Sequence, residues 1–475
     1  MFPNSQSFLG NETGDHFLAA GQYGQMTRQE VGDLYKALVA GSDIANPGTT
    51  AGGGFPFRVE FLDNMLRYLT YTEAHIKLFP ALFKEQATNT VVEYNTVSDY
   101  GVDAGGSIAE GDLPEEHDMT IARNYATIKF LATMRRVTHP MQVIRSAHGD
   151  VIRKQAEAGT RWLLRAAEQM CFNGDSRVIP EQWDGIWSQG SQNGATIVDL
   201  RGARLSSEEL NEGIGDVTKD PNYGMPTHLH HSVRSHTNLS KEFFPSERFS
   251  INGGAQTITP GHRFKQFQSS VIDSTMDLEP NVFIREGAAP ITLGIGSAAK
   301  RPGVPAITVA ATAGAAVATS QFGVADAATY IYRVVAVNRY GKSAPVDTAT
   351  VAVAATENVT FTVQDAGGAT GYEIYRSPVG GAGAAATALY ITSTARTGLA
   401  TVITDNNDDL PGTSKAYMLQ QNPEAITFYQ LVPMMMYPLA QIDLSVRWAQ
   451  LLYGTLVLNA PAKHLIYRNV GDAAP

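Results

Sequence analysis

Cysteine is all but missing from this chain. Cys171 is the only one, so no intramolecular disulfide can form and a thiolate-based zinc site is excluded. Positive charge is also short: 36 Lys and Arg stand against 46 Asp and Glu, a formal net charge of −10. A surface devoted to gripping phosphates needs clustered cations to displace counterions, so nucleic acid can be enclosed by such a protein without being bound. No stretch is apolar for long enough to cross a bilayer. The start, Met1-Phe2-Pro3-Asn4-Ser5-Gln6, lacks the basic residues and apolar run of a secretory signal. The chain is therefore expected to be soluble, made in the cytoplasm without a membrane partner, and free of any long propeptide that is later removed. No G-x-S-x-G elbow, no H-E-x-x-H helix and no G-x-G-x-x-G after a strand occurs. The common hydrolase, metalloprotease and dinucleotide-binding chemistries are unsupported. No catalytic residue, cofactor or metal is expected.

What is present describes a multidomain globular protein. At 475 residues, with 43% hydrophobic and 17% charged residues, the chain has material for about three cores. Residues 1–58 alternate short helical promise at 27–38 with glycine-rich runs such as 48–54 and hold few apolar residues, which reads as an extended arm needing a neighbour to become ordered, or as a loose terminus. From Arg58 to about Lys84, the spacing of Phe61, Leu62, Met65, Leu66 and Leu69 follows a helix face, and Pro80 interrupts it. Residues 91–97 and 125–134 are strand-like. The long acidic, glycine-rich stretch between them, 99–118, implies a projecting loop. Between Pro140 and Asn173-Gly174, Ile144, Ala147, Val151, Ala158, Trp162, Ala166 and Met170 recur mostly at helical steps. That spacing predicts one helix of about thirty residues, roughly 45 Å long, acting as a strut.

Residues 176–299 read as a mixed α+β domain. Around Lys300 the composition changes to Ala, Thr, Gly and Val with short strand runs at 329–337, 359–363, 371–376, 389–391 and 401–404, the pattern of a β-sandwich. The composition of the mixed domain resumes at about Pro423, with further strands at 428–432, 441–448 and 456–458, so one domain is expected to interrupt another.

Three groups of residues invite a functional reading. Glu110, Asp112, Glu115, Glu116 and Asp118, with Asp103, populate the acidic loop. They are a solvated tip, a calcium site without the EF-hand pattern, or a contact to another subunit. Partners for such a contact would be Arg135, Arg136, Arg145, Arg153 and Lys154 of a neighbour. His228, His230, His231 and His236 form the densest histidine group, but no acidic residue lies in the segment, so structural histidines are favoured over a metal centre. Gly341-Lys342-Ser343 is similar to the end of a phosphate loop, yet position 336 is Ala and no helix follows, so a turn is expected.

The order of arm, β-projection, strut helix, mixed domain and returning strands resembles the major capsid proteins of tailed phages, the family typified by phage Hong Kong 97. Locally, 226–234 is similar to the axial-domain strand and following helix start of such subunits, and 447–454 to their closing stretch. The resemblance implies an α+β fold with an N-terminal arm at 1–58 and a first part of the peripheral domain at 59–90. An E-loop at 91–137 and the spine helix of the peripheral domain at 138–175 would follow, then an axial domain at 176–299. Residues 416–475 would return to the axial and peripheral sheets. Residues 300–415 resemble inserted phage immunoglobulin-like or fibronectin type III-like modules, on 330–338 with Gly341 and on 369–376. Such modules usually decorate the outer face of a capsid, where weak cell-surface glycan binding has been suggested. Members that crosslink covalently use an E-loop lysine, and here only Lys129 is present, near the loop base, so no autocatalytic crosslinking is expected.

The implied function is self-assembly into hexameric and pentameric capsomers and an icosahedral shell. The shell would enclose double-stranded DNA without sequence-specific binding, be built in the host bacterial cytoplasm and remain as the virion capsid. Scaffolding would be a separate protein or absent, and any portal and cement proteins would be separate chains. Two rivals stand beside this reading: an encapsulin-like nanocompartment shell, and a glycan-active enzyme with an accessory sandwich, which would need two carboxylates facing one cleft.

Overall fold

The computed structural model describes residues 69–101, 107–113, 116–144, 149–243, 265–271, 275–287, 291–381 and 383–473, together with a short antiparallel ladder between His16–Phe17 and Met26–Thr27. The expected arm, and the helix expected to begin at Arg58, fall mostly outside the described residues. Within the rest of that helix span the elements are a turn at Glu73–His75 and a short helix at Leu78–Ala81.

The strut is shorter than its sequence implied. Pro140 sits in the first turn of a separate short helix, His139–Val143, and Ile144 is extended. The long helix runs Val151–Asn173, 23 residues or roughly 35 Å. Gly149 adopts φ +89°, and Asp150 caps the new start by accepting the Ile152 N–H at 2.9 Å, which nucleates a fresh helix there. Its buried stripe is Gly159, Leu163, Ala167, Met170 and Cys171. This is offset from the expected face, and Trp162 is left 42% exposed. A Cβ on Gly159 would lie 1.8 Å from the side-chain oxygen of Gln450, so the residue with no side chain marks where the helix presses closest to the sheet.

That sheet has four strands in the order Lys84–Gln86, Ile426–Pro438, Ser445–Leu458 and Lys129–Thr138. The two long strands pair antiparallel, with register shifts around Val432 next to Pro433, because a residue without an N–H is tolerated where the ladder bulges. Trp448, Leu452 and Leu456 face the long helix, and the last two join Ala167, Met170, Phe172 and Phe428 in one core.

A second, six-stranded sheet runs Thr196–Asp199, Leu465–Val470, Ser414–Leu419, His228–His231, Thr275–Pro280 and Gln266–Gln268. Leu210, Ile214 and Val217 of the helix Ser207–Thr218 and Leu239 of the helix Val233–Phe243 cover it, packing on Leu229, Leu278, Met418 and Leu465. Its middle strands come from opposite sides of the segment 300–405, so this domain is discontinuous in sequence. Where the chain departs and returns, Gly287 lies against Gly412: a Cβ on Gly287 would sit 2.7 Å from the Gly412 Cα.

Between those points lies a β-sandwich. One sheet holds Tyr332–Asn338, Gly371–Arg376 and Leu389–Ala395, and the other Ala306–Ala313, Val359–Gln364 and Ala400–Asp405. Tyr332, Val334, Tyr372 and Ile374 from the first meet Phe361, Val363 and Ile403 from the second, with the Tyr332 and Phe361 ring centroids 5.2 Å apart. Gly341, at φ +150°, opens the strand Gly341–Lys342 that folds back on Tyr332–Asn338, so Gly341-Lys342-Ser343 is part of a turn. Strand Gly371–Arg376 is buried along its whole length, because its other face packs against the mixed domain. Arg376 is enclosed within the sandwich, ion-paired to Asp405 and flanked by the rings of Phe322 and Tyr330, each 5.2 Å away.

Candidate assembly surfaces

Strands Val91–Asp99 and Thr120–Thr127 form an antiparallel hairpin that pairs with no other strand among the described residues. Val92 alone of its residues is buried, at the base beside Ala87 and Ile128. Further out Val97, Ile121 and Tyr125 are exposed, Tyr125 by 79%. At about 3.3 Å per residue, nine residues carry the hairpin roughly 30 Å out. The run read from sequence as one strand over 125–134 is two strands. Up to Thr127 it pairs with the Val91 strand, and from Lys129 it joins Gly454 in the four-stranded sheet. Ile128 forms the corner, buried and donating its N–H to the Thr90 carbonyl at 2.8 Å. Lys129, at the hairpin's foot, donates to the Pro180 carbonyl at 2.6 Å.

Of the acidic loop residues, Glu110, Asp112, Glu116 and Asp118 are exposed, whereas Asp103 and Glu115 lie outside the described residues. Arg145 does too. Arg135 points toward the helix side of its strand and is half-buried, while Arg136 faces out and lies 3.5 Å from Asp443. Arg153 is spent on Glu157, one helical turn away, at 3.3 Å, and Lys154 follows it on the long helix. Among the described residues no ion pair joins the acidic loop to Arg135, Arg136 or Arg153.

A surface that sequence reasoning missed lies on the outer face of the four-stranded sheet. Phe130 pairs across with Tyr453, Ala132 with Leu451 and through it Met435, and Met134 with Ala449 and through it Tyr437. The Phe130 and Tyr453 rings meet edge-on at 4.9 Å. Phe130, Met134 and Tyr437 are each more than half exposed. This contiguous apolar patch is rimmed by Arg136, Arg447 and Asp443, the two arginines sharing the one carboxylate. Exposed apolar patches with a charged rim mark interaction sites.

The histidine group lies inside the mixed domain. His230 and His231 are fully buried, and burial holds both down at about 3. The His231 and His236 ring nitrogens are 3.0 Å apart, and His228 stacks on His230. His228 lies 3.7 Å from the Asp277 carboxylate. Among the described residues, no group of three or more such side chains converges on a metal-sized site, and no helix is long and apolar enough to cross a membrane.

No protein-family model matches the chain. It is 23% identical over 471 residues to the major capsid protein of Staphylococcus phage K, covering 92% of this chain and 95% of that protein. A protein of Enterococcus phage phiEF24C, provisionally named a major capsid protein, is 25% identical over 467 residues, at 92% and 94% coverage. Among solved structures, the capsid of a native GTA particle is similar at 9% identity and a TM-score of 0.46, covering 90% of this chain and 99% of that one. The chain has a mixed α+β fold, and the curated proteins it resembles end to end are structural proteins of phage shells. More particularly, it is a homologue of the major capsid proteins of staphylococcal and enterococcal phages along nearly all of its length.

Proposed function

We propose that this chain builds the icosahedral head shell of a tailed phage through hexameric and pentameric capsomers. The observation that carries the reading is the end-to-end similarity to phage major capsid proteins. The hairpin and the apolar outer sheet face fit it, because each offers surface that a single copy leaves uncovered. On this reading residues 1–58 are the arm, 91–137 the E-loop, 138–175 the spine region and 176–299 with 416–475 the axial domain and its return to the periphery. The acidic loop of one copy meets basic residues of another. The sandwich at 300–415 is an immunoglobulin-like module turned outward, with weak affinity for cell-surface glycans. The shell encloses double-stranded DNA and is made in the host cytoplasm, and any scaffolding, portal and cement proteins are separate chains. Neither an encapsulin-like compartment nor a glycan-active enzyme is favoured by the curated relatives.

Electron microscopy of the purified chain tests this directly. Capsomers or closed shells are expected, and a protein that stays a dispersed monomer at high concentration contradicts it.

A further inference from the structure

A cavity of about 270 Å³ opens where the sandwich strand Leu389–Ala395 meets the mixed domain. Trp187 and Tyr390 form its aromatic walls, and Arg285, Lys415, Arg468 and Asp409 its charged ones. The Lys415 ammonium lies 4.1 Å over the Trp187 ring and 3.5 Å from Asp409. Arg468 donates to the same carboxylate at 2.9 Å. The Arg285 guanidinium covers the Tyr390 ring at 4.4 Å and reaches Glu373 at 3.3 Å, but Glu373 also takes Lys342. Two carboxylates, with Asp408 acting on Arg468 from outside the cavity, therefore serve four cations. The other charged groups on the wall, Asp175 and Arg177, cancel in a bidentate pair at 2.9 and 2.8 Å, and Asp408 does not line the cavity.

The cations stay partly exposed, Arg285 by 36% and Lys415 by 21%, and an anion seated among them gains charge-assisted hydrogen bonds that water alone does not match. We propose that this cavity is a binding site for a small oxyanion, the phosphate or carboxylate group of a ligand held between the sandwich and the mixed domain. Lys415 and Arg285 contact it with donors left over from their protein partners, because charge-assisted hydrogen bonds of this kind are the strong ones. Ser393 and Thr392 at the rim add hydroxyls. The volume sits near the lower edge of small-molecule sites, so the ligand is a metabolite-sized anion or the end group of a larger one. Occupancy ties Arg285 and Lys415 of the mixed domain to the sandwich strand that carries Tyr390.

Calorimetric titration of the purified full chain with inorganic phosphate and, separately, with acetate tests this in a chloride background that screens surface charge. One saturable site per chain is expected. Lys415→Gln should weaken it roughly tenfold or more, and Ser393→Asp should abolish it while keeping the fold, since the new carboxylate supplies the missing negative charge itself. Should Lys415→Gln fail to fold, Ser393→Asp decides alone. Phosphate binding assigns a phosphate-type ligand, and binding of acetate alone a carboxylate. Saturation by neither probe, or binding that the folded variants leave unchanged, overturns the proposal without touching the shell reading.

Discussion

The carboxylate of Glu168, buried in the long helix, accepts the backbone N–H of Phe79 at 2.7 Å and that of Leu78 at 2.9 Å. It thereby caps a short helix about ninety residues nearer the N-terminus. The Asn281 side chain donates to the same group at 2.6 Å. Three distant segments meet on one side chain. Glu168→Ala should strand these buried donors and destabilise the chain by about 3 kcal/mol, with Glu168→Gln losing less. Denaturant unfolding of the dissociated chain measures both.

Within the sandwich, Asp405 accepts hydrogen bonds from Arg376 and, at 2.8 Å, from the Tyr332 hydroxyl. Removing one member of a buried ion pair leaves the other uncompensated. Arg376→Ala is expected to cost roughly 3–5 kcal/mol and to expose 300–405 to limited proteolysis ahead of the rest of the chain. Equal resistance of variant and parent would contradict this.

His230 and His231 are held near 3, and His464 near 4, chiefly by burial. Their folded values lie below the ordinary 6.5, so the unfolded chain takes up protons first as pH falls. Their contribution is intact above about pH 6.5 and drains away between there and about 3 to 4, by several kcal/mol in total. Glu373 and Asp409, lowered against the pull of burial by neighbouring Arg285 and Lys415 respectively, lose theirs only at lower pH. Between pH 6.5 and 5 the decline should therefore be histidine-driven. Replacing His464 by Gln should flatten the slope of unfolding free energy against pH in that window.

The outer sheet face can be separated from folding. Met134→Lys changes an exposed residue, so monomer stability should move by no more than about 0.5 kcal/mol, while sedimentation should show assembly lost or strongly weakened. Assembly at the parental level would mean that this face makes no contact between copies.

Reversing Glu110, Asp112, Glu116 and Asp118 to Lys should weaken assembly without unfolding the monomer. The parent's assembly should be sensitive to salt, because exposed charge pairs between copies are screened. Unchanged assembly would make the loop a solvated tip.

Regular alternation made much of the fold legible. The strands at 359–363 and 371–376 announced themselves through β-branched and aromatic runs, whereas the run 329–337 is broken at Ile331 into Ala328–Tyr330, paired with Val351–Val353, and Tyr332–Asn338 in another sheet. The break before the long helix went unread because Pro140 offered a start closer to the N-terminus, although the pair Gly149-Asp150 carries the capping signal. The helix face was misjudged by one position, since Gly159 contributes contact without side-chain hydrophobicity. Phe130, Met134 and Tyr437 look like core residues in sequence. Only strand register shows that they face outward together. The junction cavity draws on residues 187, 285, 390, 409, 415 and 468, whose proximity no local pattern encodes.

Gly287 and Gly412 touch although the whole sandwich separates them along the chain. The module's two connections to the domain beneath it thus run side by side, while ion pairs such as Arg285–Glu373 and Arg201–Asp326 hold it down elsewhere. A loop of a few residues could bridge them, but a chain cut back in that way would leave Arg201 and Arg285 without the partners the module supplies.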